Sequence, residues 1–127
     1  MNLNHLNLTV TDPAATSAFL AKYFGLRPRG GNLGMQLMND DNGMVLTLTK
    51  ARASDRVEDG EDTGAAGAVR YPSSFHVGFV QPSHERVNEI NQRLRDEGFE
   101  VDPPAHLHGS WTFYFQAPGG FTIEVLG

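Results

Sequence analysis

One arrangement of elements occurs twice along this chain. Residues 3 to 10, LNHLNLTV, alternate, with Leu6, Leu8 and Val10 on one side and His5, Asn7 and Thr9 on the other, which predicts a strand with one core face. Asp12 and Pro13 supply an N-cap and a first helical residue. Phe19, Leu20, Tyr23 and Phe24 then recur at helical spacing up to Gly25. Extended pieces near residues 27 to 30, 33 to 39 and 44 to 50 follow, the last two joined by an Asp-Asn-Gly turn. The pattern returns at SFHVGFV, with Phe75, Val77 and Phe79 on one face, and at a helix ending near Gly98 whose apolar stripe is Val87, Ile90 and Leu94. FEV at 99 to 101, WTFYFQ at 111 to 116, a Pro118-Gly119-Gly120 turn and FTIEVLG complete it. Each half reads β-α-β-β-β, and His5 and His76 hold the same place in their halves. A repeated unit constrains the architecture more than any single element, because both copies would have to be misread alike.

At 127 residues the chain is expected to form one domain that buries roughly two-thirds of its unfolded surface. The first module is expected over about residues 1 to 50 and the second over about 74 to 127. Between them residues 51 to 73 are polar and small, with neither strand nor helix period, and read as a linker or a mobile lid. The run Glu58, Asp59, Glu61, Asp62 reads as a solvated acidic loop, and Asn39 to Asn42 as a turn rather than a calcium loop. No cysteine is present, which excludes disulfides and thiolate chemistry. Ten Lys and Arg against fifteen Asp and Glu leave a net charge of -5, the wrong sign for a nucleic-acid partner. No window approaches the roughly 18 apolar residues that span a bilayer, and the N-terminus has no basic, then apolar, leader pattern. A soluble, cytoplasmic protein acting on a small molecule is the expectation.

The residue that asks for a chemical explanation is Glu124. It stands between Ile123 and Val125 in a strand pattern, where a carboxylate is costly to bury unless something neutralises it. Strand parity places His5, His76 and Glu124 on the faces opposite their apolar neighbours. Two imidazoles and one carboxylate make a ligand set for a divalent metal with open coordination positions. The residues alone also allow two hydrogen-bonded histidines around a binding cavity and a Glu124 paired with an arginine, since buried polar groups need only partners.

The doubled unit, the opening NHLNLTVTDPAATSAFLAKYFGL, the second opening FHVGF and the ending FYFQAPGGFTIEV together resemble the vicinal oxygen chelate superfamily. That superfamily contains glyoxalase I, extradiol dioxygenases, fosfomycin-resistance transferases and bleomycin-resistance binding proteins. The resemblance covers nearly the whole chain apart from residues 51 to 73. It implies an α+β fold of two tandem βαβββ modules forming a cupped, mostly antiparallel sheet with the helices outside. It also implies His5, His76 and Glu124 as ligands of a divalent metal ion, with Fe, Mn, Zn and Ni not distinguished. Aligning GMVLT on GFTIE puts the family's fourth ligand position at Thr47, a poor ligand, which turns the expectation from glyoxalase I toward the three-ligand branches. The chain ends three residues after Glu124, without the extension that supplies an anion-binding arginine in fosfomycin-resistance enzymes, and this turns it from that branch.

Tyr114 shares a strand face with Thr112 and resembles a substrate-contacting tyrosine of the family; a satisfied hydroxyl on a half-buried strand is the plainer alternative. His106 and His108 precede that strand, and either is an acid or base candidate, His108 being kept with Tyr114 as the catalytic pair. His84, on the first turn of its helix, is expected at the surface without a role. The implied activity is a metal-dependent lyase or dioxygenase acting on a small substrate that chelates through adjacent oxygens, with the metal as Lewis acid. The alternative is a metal-free, bleomycin-resistance-like binding protein with Trp111, Phe113, Phe115 and Phe121 as pocket candidates, although parity favours the core for them. The family resemblance also implies a homodimer, in which sites shared between chains are one arrangement.

Overall fold

A computed structural model describes residues 1 to 58 and 67 to 127. The chain divides into two compact units, Met1–Tyr71 with Pro118–Gly120, and Pro72–Ala117 with Phe121–Gly127. Each is a four-stranded mixed sheet with one helix, so the α+β reading of two repeated modules holds. No helix among the described residues is long and apolar enough to cross a membrane.

In the first unit β1 (His5–Val10), α1 (Pro13–Phe24), β2 (Arg27–Asn32), β3 (Met35–Asn39) and β4 (Val45–Lys50) form a sheet of order β1-β4-β3-β2. β1 runs parallel to β4, and the other pairs are antiparallel. The α1 boundaries follow from cap chemistry. Asp12 accepts a hydrogen bond from the Ala15 N–H at 3.1 Å, Pro13 occupies the first turn, and Gly25 closes the helix in the left-handed conformation at φ 69°. Phe19, Leu20 and Tyr23 are buried with Leu8, Val10, Met38 and Leu48. Leu6, expected among them, is 36% exposed near the start of β1, the end strand of its sheet.

The stretch read as a linker or lid has structure in its described parts. A 3-10 turn spans Ala53–Asp55, Arg56 bridges Val69, and Ala51, Val57 and Val69 are buried. Asp59, Glu61 and Asp62 of the acidic run lie outside the described residues. Tyr71 ties the end of this stretch back to β1, its hydroxyl donating to the Thr9 carbonyl at 2.6 Å. Burial pushes the Tyr71 phenol above its usual value, while the hydrogen bond to Thr9 acts the other way. A phenol whose folded pKa is raised contributes stability that is complete below the unfolded pKa of about 10 and is lost as pH rises through the folded value. Tyr71→Phe should therefore cost about 1 kcal/mol in urea unfolding at pH 7 and show a shallower alkaline loss than the parent protein. Equal stabilities at pH 7 would remove this hydrogen bond from the account.

In the second unit β5 (His76–Val80), α2 (His84–Asp96), β6 (Ala105–Leu107), β7 (Ser110–Gln116) and β8 (Thr122–Leu126) repeat the order as β5-β8-β7-β6, with β5 parallel to β8. The expected α2 stripe of Val87, Ile90 and Leu94 is buried, and Phe113, Phe115 and Phe121 join Ile123 and Val125 in the core, Phe115 also bordering a groove. One strand is displaced from its expected place. Residues 99 to 101 pair with nothing in the sheet, and Ala105–Leu107 is the strand beside β7. Continuing the β6–β7 register past Ala105↔Thr112 would set Pro103 opposite Tyr114. Pro103 and Pro104 have no N–H for a ladder, so the chain leaves β7 there. The departing segment is held to α2 by the buried Asn91, whose amide donates to the Asp102 carbonyl at 2.7 Å.

Candidate metal centre

The second sheet builds one polar corner. Glu124 on β8 is flanked by Gly78 on β5 and Tyr114 on β7, which are its register partners, and His76 stands two residues along β5 from Gly78. Strand parity puts all of them on the face opposite Phe113, Phe115, Ile123 and Val125. The Nε2 atom of His76 lies 3.3 Å from Oε2 of Glu124, with the carboxylate side chain only 13% exposed and the imidazole 41%. Oε1 of Glu124 lies 2.9 Å from the hydroxyl of Thr112, which is fully buried. That hydroxyl is also 3.0 Å from the Val125 carbonyl, so its single proton serves two acceptors.

Tyr114 completes the corner. Its ring meets that of His76 edge-on, with centroids 5.6 Å apart, and its phenol lies close enough to Glu124 to feel its carboxylate. Burial first, then the nearby carboxylate of Glu124 with its negative charge, hold the Tyr114 phenol above its usual range, so it keeps its proton at neutral pH. Beside Tyr114 a groove of about 790 Å3 opens where the prolines take the chain off β7, walled by Phe99, Val101, Arg95 and Gln116.

The hydrogen bond behind each histidine bears on what the corner can hold. His76 Nδ1 is 2.9 Å from the Ser74 carbonyl. A carbonyl only accepts, so Nδ1 carries the proton and the lone pair of the neutral ring sits on Nε2, facing the carboxylate. Two lone-pair atoms at 3.3 Å repel unless a proton or a cation stands between them. His5 has the same arrangement, with Nδ1 2.7 Å from Oδ1 of Asn4, leaving Nε2 as its free acceptor. A ring nitrogen fixed by a carbonyl-type oxygen while the other is left to bind is the usual support of a metal-ligating histidine. The donor chemistry of His76 and Glu124 fits a divalent ion, and His5, taken by itself, offers a nitrogen of the same kind.

The structure brings His76, Glu124 and Tyr114 together. His5 belongs to the other unit, on an exposed stretch of β1, and among the described residues no three His, Cys, Asp or Glu side chains form one metal-holding group. His108 sits at the tip of the β6–β7 hairpin, at φ 52° beside Gly109 at φ 84°, a pair of positive values suited to a tight type I′ turn. Six residues separate it from Tyr114, roughly 20 Å of strand. His106 faces away from the corner, since it pairs with Trp111 on the helix side of the sheet. Sequence reasoning noted that Thr112 shares the Tyr114 face but missed its contact with Glu124, and Gly78, the β5 neighbour of Glu124, gave no signal beyond its parity with His76. Thr47 occupies in the first sheet the place of Glu124 in the second, as Asn7↔Thr47 matches Gly78↔Glu124.

The sequence profile of the Glyoxalase/Bleomycin resistance protein/Dioxygenase superfamily matches residues 2–125. Among solved structures, one described as a possible glyoxalase from Bacillus cereus is 46% identical, with all of this chain aligned to 99% of that one and a TM-score of 0.83. A lactoylglutathione lyase from Agrobacterium tumefaciens shares 22% identity over 98% of this chain and 92% of its own, with a TM-score of 0.73. A fosfomycin resistance protein from Listeria monocytogenes, in complex with Mn(II) and sulfate, shares 20% identity over 99% and 89%, with a TM-score of 0.73. At these lower identities the likeness is one of fold. No curated protein matches the chain.

Proposed function

This chain belongs to the Glyoxalase/Bleomycin resistance protein/Dioxygenase superfamily, and from that membership we propose an enzyme in which His5, His76 and Glu124 hold a divalent metal ion for a small substrate that binds through adjacent oxygens. The observation that carries the reading is His76 Nε2 set 3.3 Å from Glu124 Oε2 with Nδ1 turned to the Ser74 carbonyl, an arrangement that a cation between the two atoms would suit. A bound ion would supply Lewis acidity, and a lyase or a dioxygenase would both use it.

The residues of the chain have separable tasks. Ser74 and Asn4 hold the two imidazoles in the tautomer that offers Nε2. Thr112 steadies one carboxylate oxygen of Glu124 and leaves the other toward His76. Tyr114 keeps its proton, and on this reading its hydroxyl would donate to an anionic oxygen of the substrate. The groove beside Tyr114, which shares that residue with the corner but not His76 or Glu124, would take the rest of a small molecule, with Phe99 and Val101 as apolar wall. His108 is left out of this site because of the strand length between it and Tyr114. His5 enters from the same chain or from a second copy in a homodimer.

A metal-free binding protein is the second reading, and the observation favouring it is that no three ligand side chains group among the described residues. Elemental analysis of protein purified without chelator separates the two. The enzyme reading expects one equivalent of metal per site, lost on His5→Ala, on His76→Ala and on Glu124→Ala. Protein that retains no Mn, Fe, Zn or Ni after loading and dialysis, yet binds a small ligand equally well in all three variants, overturns it.

A further inference from the structure

The helix side of the second unit carries a group of rings that the corner around Glu124 does not use. His84 opens α2 and His106 lies on β6, and their ring centroids are 5.9 Å apart. Both pack on Trp111, His84 stacked at 5.8 Å and 27° between planes, His106 edge-on at 4.9 Å. The indole is itself fixed, its Nε1 donating to Oδ1 of Asn88 at 2.8 Å. Both imidazoles are exposed while Trp111 is half-buried, so the rings sit on a firm platform open to solvent on one side.

We propose that His84 and His106 form a two-histidine surface site for a divalent transition-metal ion of borderline softness, copper(II) above zinc(II) or nickel(II), with Trp111 as its platform. A metal to imidazole nitrogen bond is about 2.0–2.1 Å, and a ring centre lies about 1.2 Å further on, which puts each centroid roughly 3.2 Å from a shared ion. Two such rings are then roughly 5.2 Å apart at a tetrahedral angle and roughly 6.4 Å apart when opposed. The observed 5.9 Å falls inside this range. Stacking on Trp111 restricts both side chains before binding, which lowers the ordering cost of chelation. The α2 N-terminus disfavours a cation, and Glu85 in the same first turn offsets it. Imidazole ligands and the usual order of first-row affinities select copper(II). The site is independent of His5, His76 and Glu124, and its remaining coordination positions are open to water or to a donor from another molecule.

Trp111 is the only tryptophan of the chain, so its fluorescence reports this site directly. Titration of the whole protein with copper(II) alone should quench the indole by at least about half, with zinc(II) competing more weakly. His84→Gln and His106→Gln should each weaken the quenching affinity at least about tenfold, while His76→Ala leaves it unchanged. Far-UV circular dichroism confirms that each variant is folded; both substituted rings are exposed, and a second pair, His84→Ala and His106→Ala, serves if either glutamine variant is not. Quenching that persists unaltered in folded variants of both histidines, or that is lost with His76 instead, overturns the assignment.

Discussion

Saturating Mn(II) or Zn(II) should raise the midpoint of thermal unfolding by about 10 °C, and the rise should vanish in His76→Ala and Glu124→Ala. Ligand at a hundred times its dissociation constant stabilises the folded state by about 2.7 kcal/mol, and in a domain of this length each kcal/mol moves the midpoint by about 3–5 °C. The sign with pH follows from the ligands. Each imidazole must be neutral to bind, so the shift should shrink in acid. Performing the scan on His84→Gln protein removes any contribution from the proposed second site. An unchanged midpoint in the parent protein under saturating metal, at pH 7.5, would leave the corner as a purely polar feature.

Glu124→Gln should reduce turnover at least about a thousandfold, roughly 4 kcal/mol of lost transition-state stabilisation, while leaving the metal-free protein as stable as before or more so by about 1 kcal/mol. The opposing signs come from one contact. In the parent protein Oε2 of Glu124 lies 3.3 Å from Nε2 of His76, a pair that repels wherever no proton or cation stands between them. A glutamine keeps the acceptor beside Thr112 and turns an N–H toward His76, replacing repulsion with a hydrogen bond. Urea unfolding of both metal-free proteins, alongside the rate on whichever substrate is found, checks both halves. A variant destabilised by about 2 kcal/mol or more would show the carboxylate to be structural.

Most of the architecture was legible because local and long-range signals agreed. Asp12, Pro13 and Gly25 bound α1 where their chemistry requires, and Val87, Ile90 and Leu94 all face the core. The misses have local causes. Phe99 to Val101 looks extended, but what makes a strand here is a partner, and Pro103 and Pro104 deny one on the β7 side. Ala105–Leu107, three residues with a histidine between two apolar ones, offers almost no pattern and is a strand because a tight turn folds it back on β7. Residues 51 to 58 and 67 to 71 lack a period because they are held by single anchors, Ala51, Val57, Val69 and Tyr71, rather than by a repeating face.

At the site, parity alone placed His76, Tyr114 and Glu124 on one face, since alternation fixes which side a strand residue takes. What parity leaves open is which rows align across the sheet. His76 is in register with Thr122 and meets Glu124 only by a diagonal reach, and nothing in the composition of β5 announces that offset. The His84 and Trp111 stack was hidden for a related reason. It joins the start of a helix to a strand 27 positions away by number, and helix periodicity marks His84 only as outward-facing.

The matched registers of the two sheets mean that one scaffold has been furnished twice, with threonine at position 47 in the first and glutamate at position 124 in the second. The backbone accepts a small hydroxyl or a charged side chain at the same coordinate. If Glu124 carries the chemistry proposed for it, reactivity is a detachable fitting on this framework, acquired or surrendered by exchanging one side chain while the strands, helices and turns around it stay as they are.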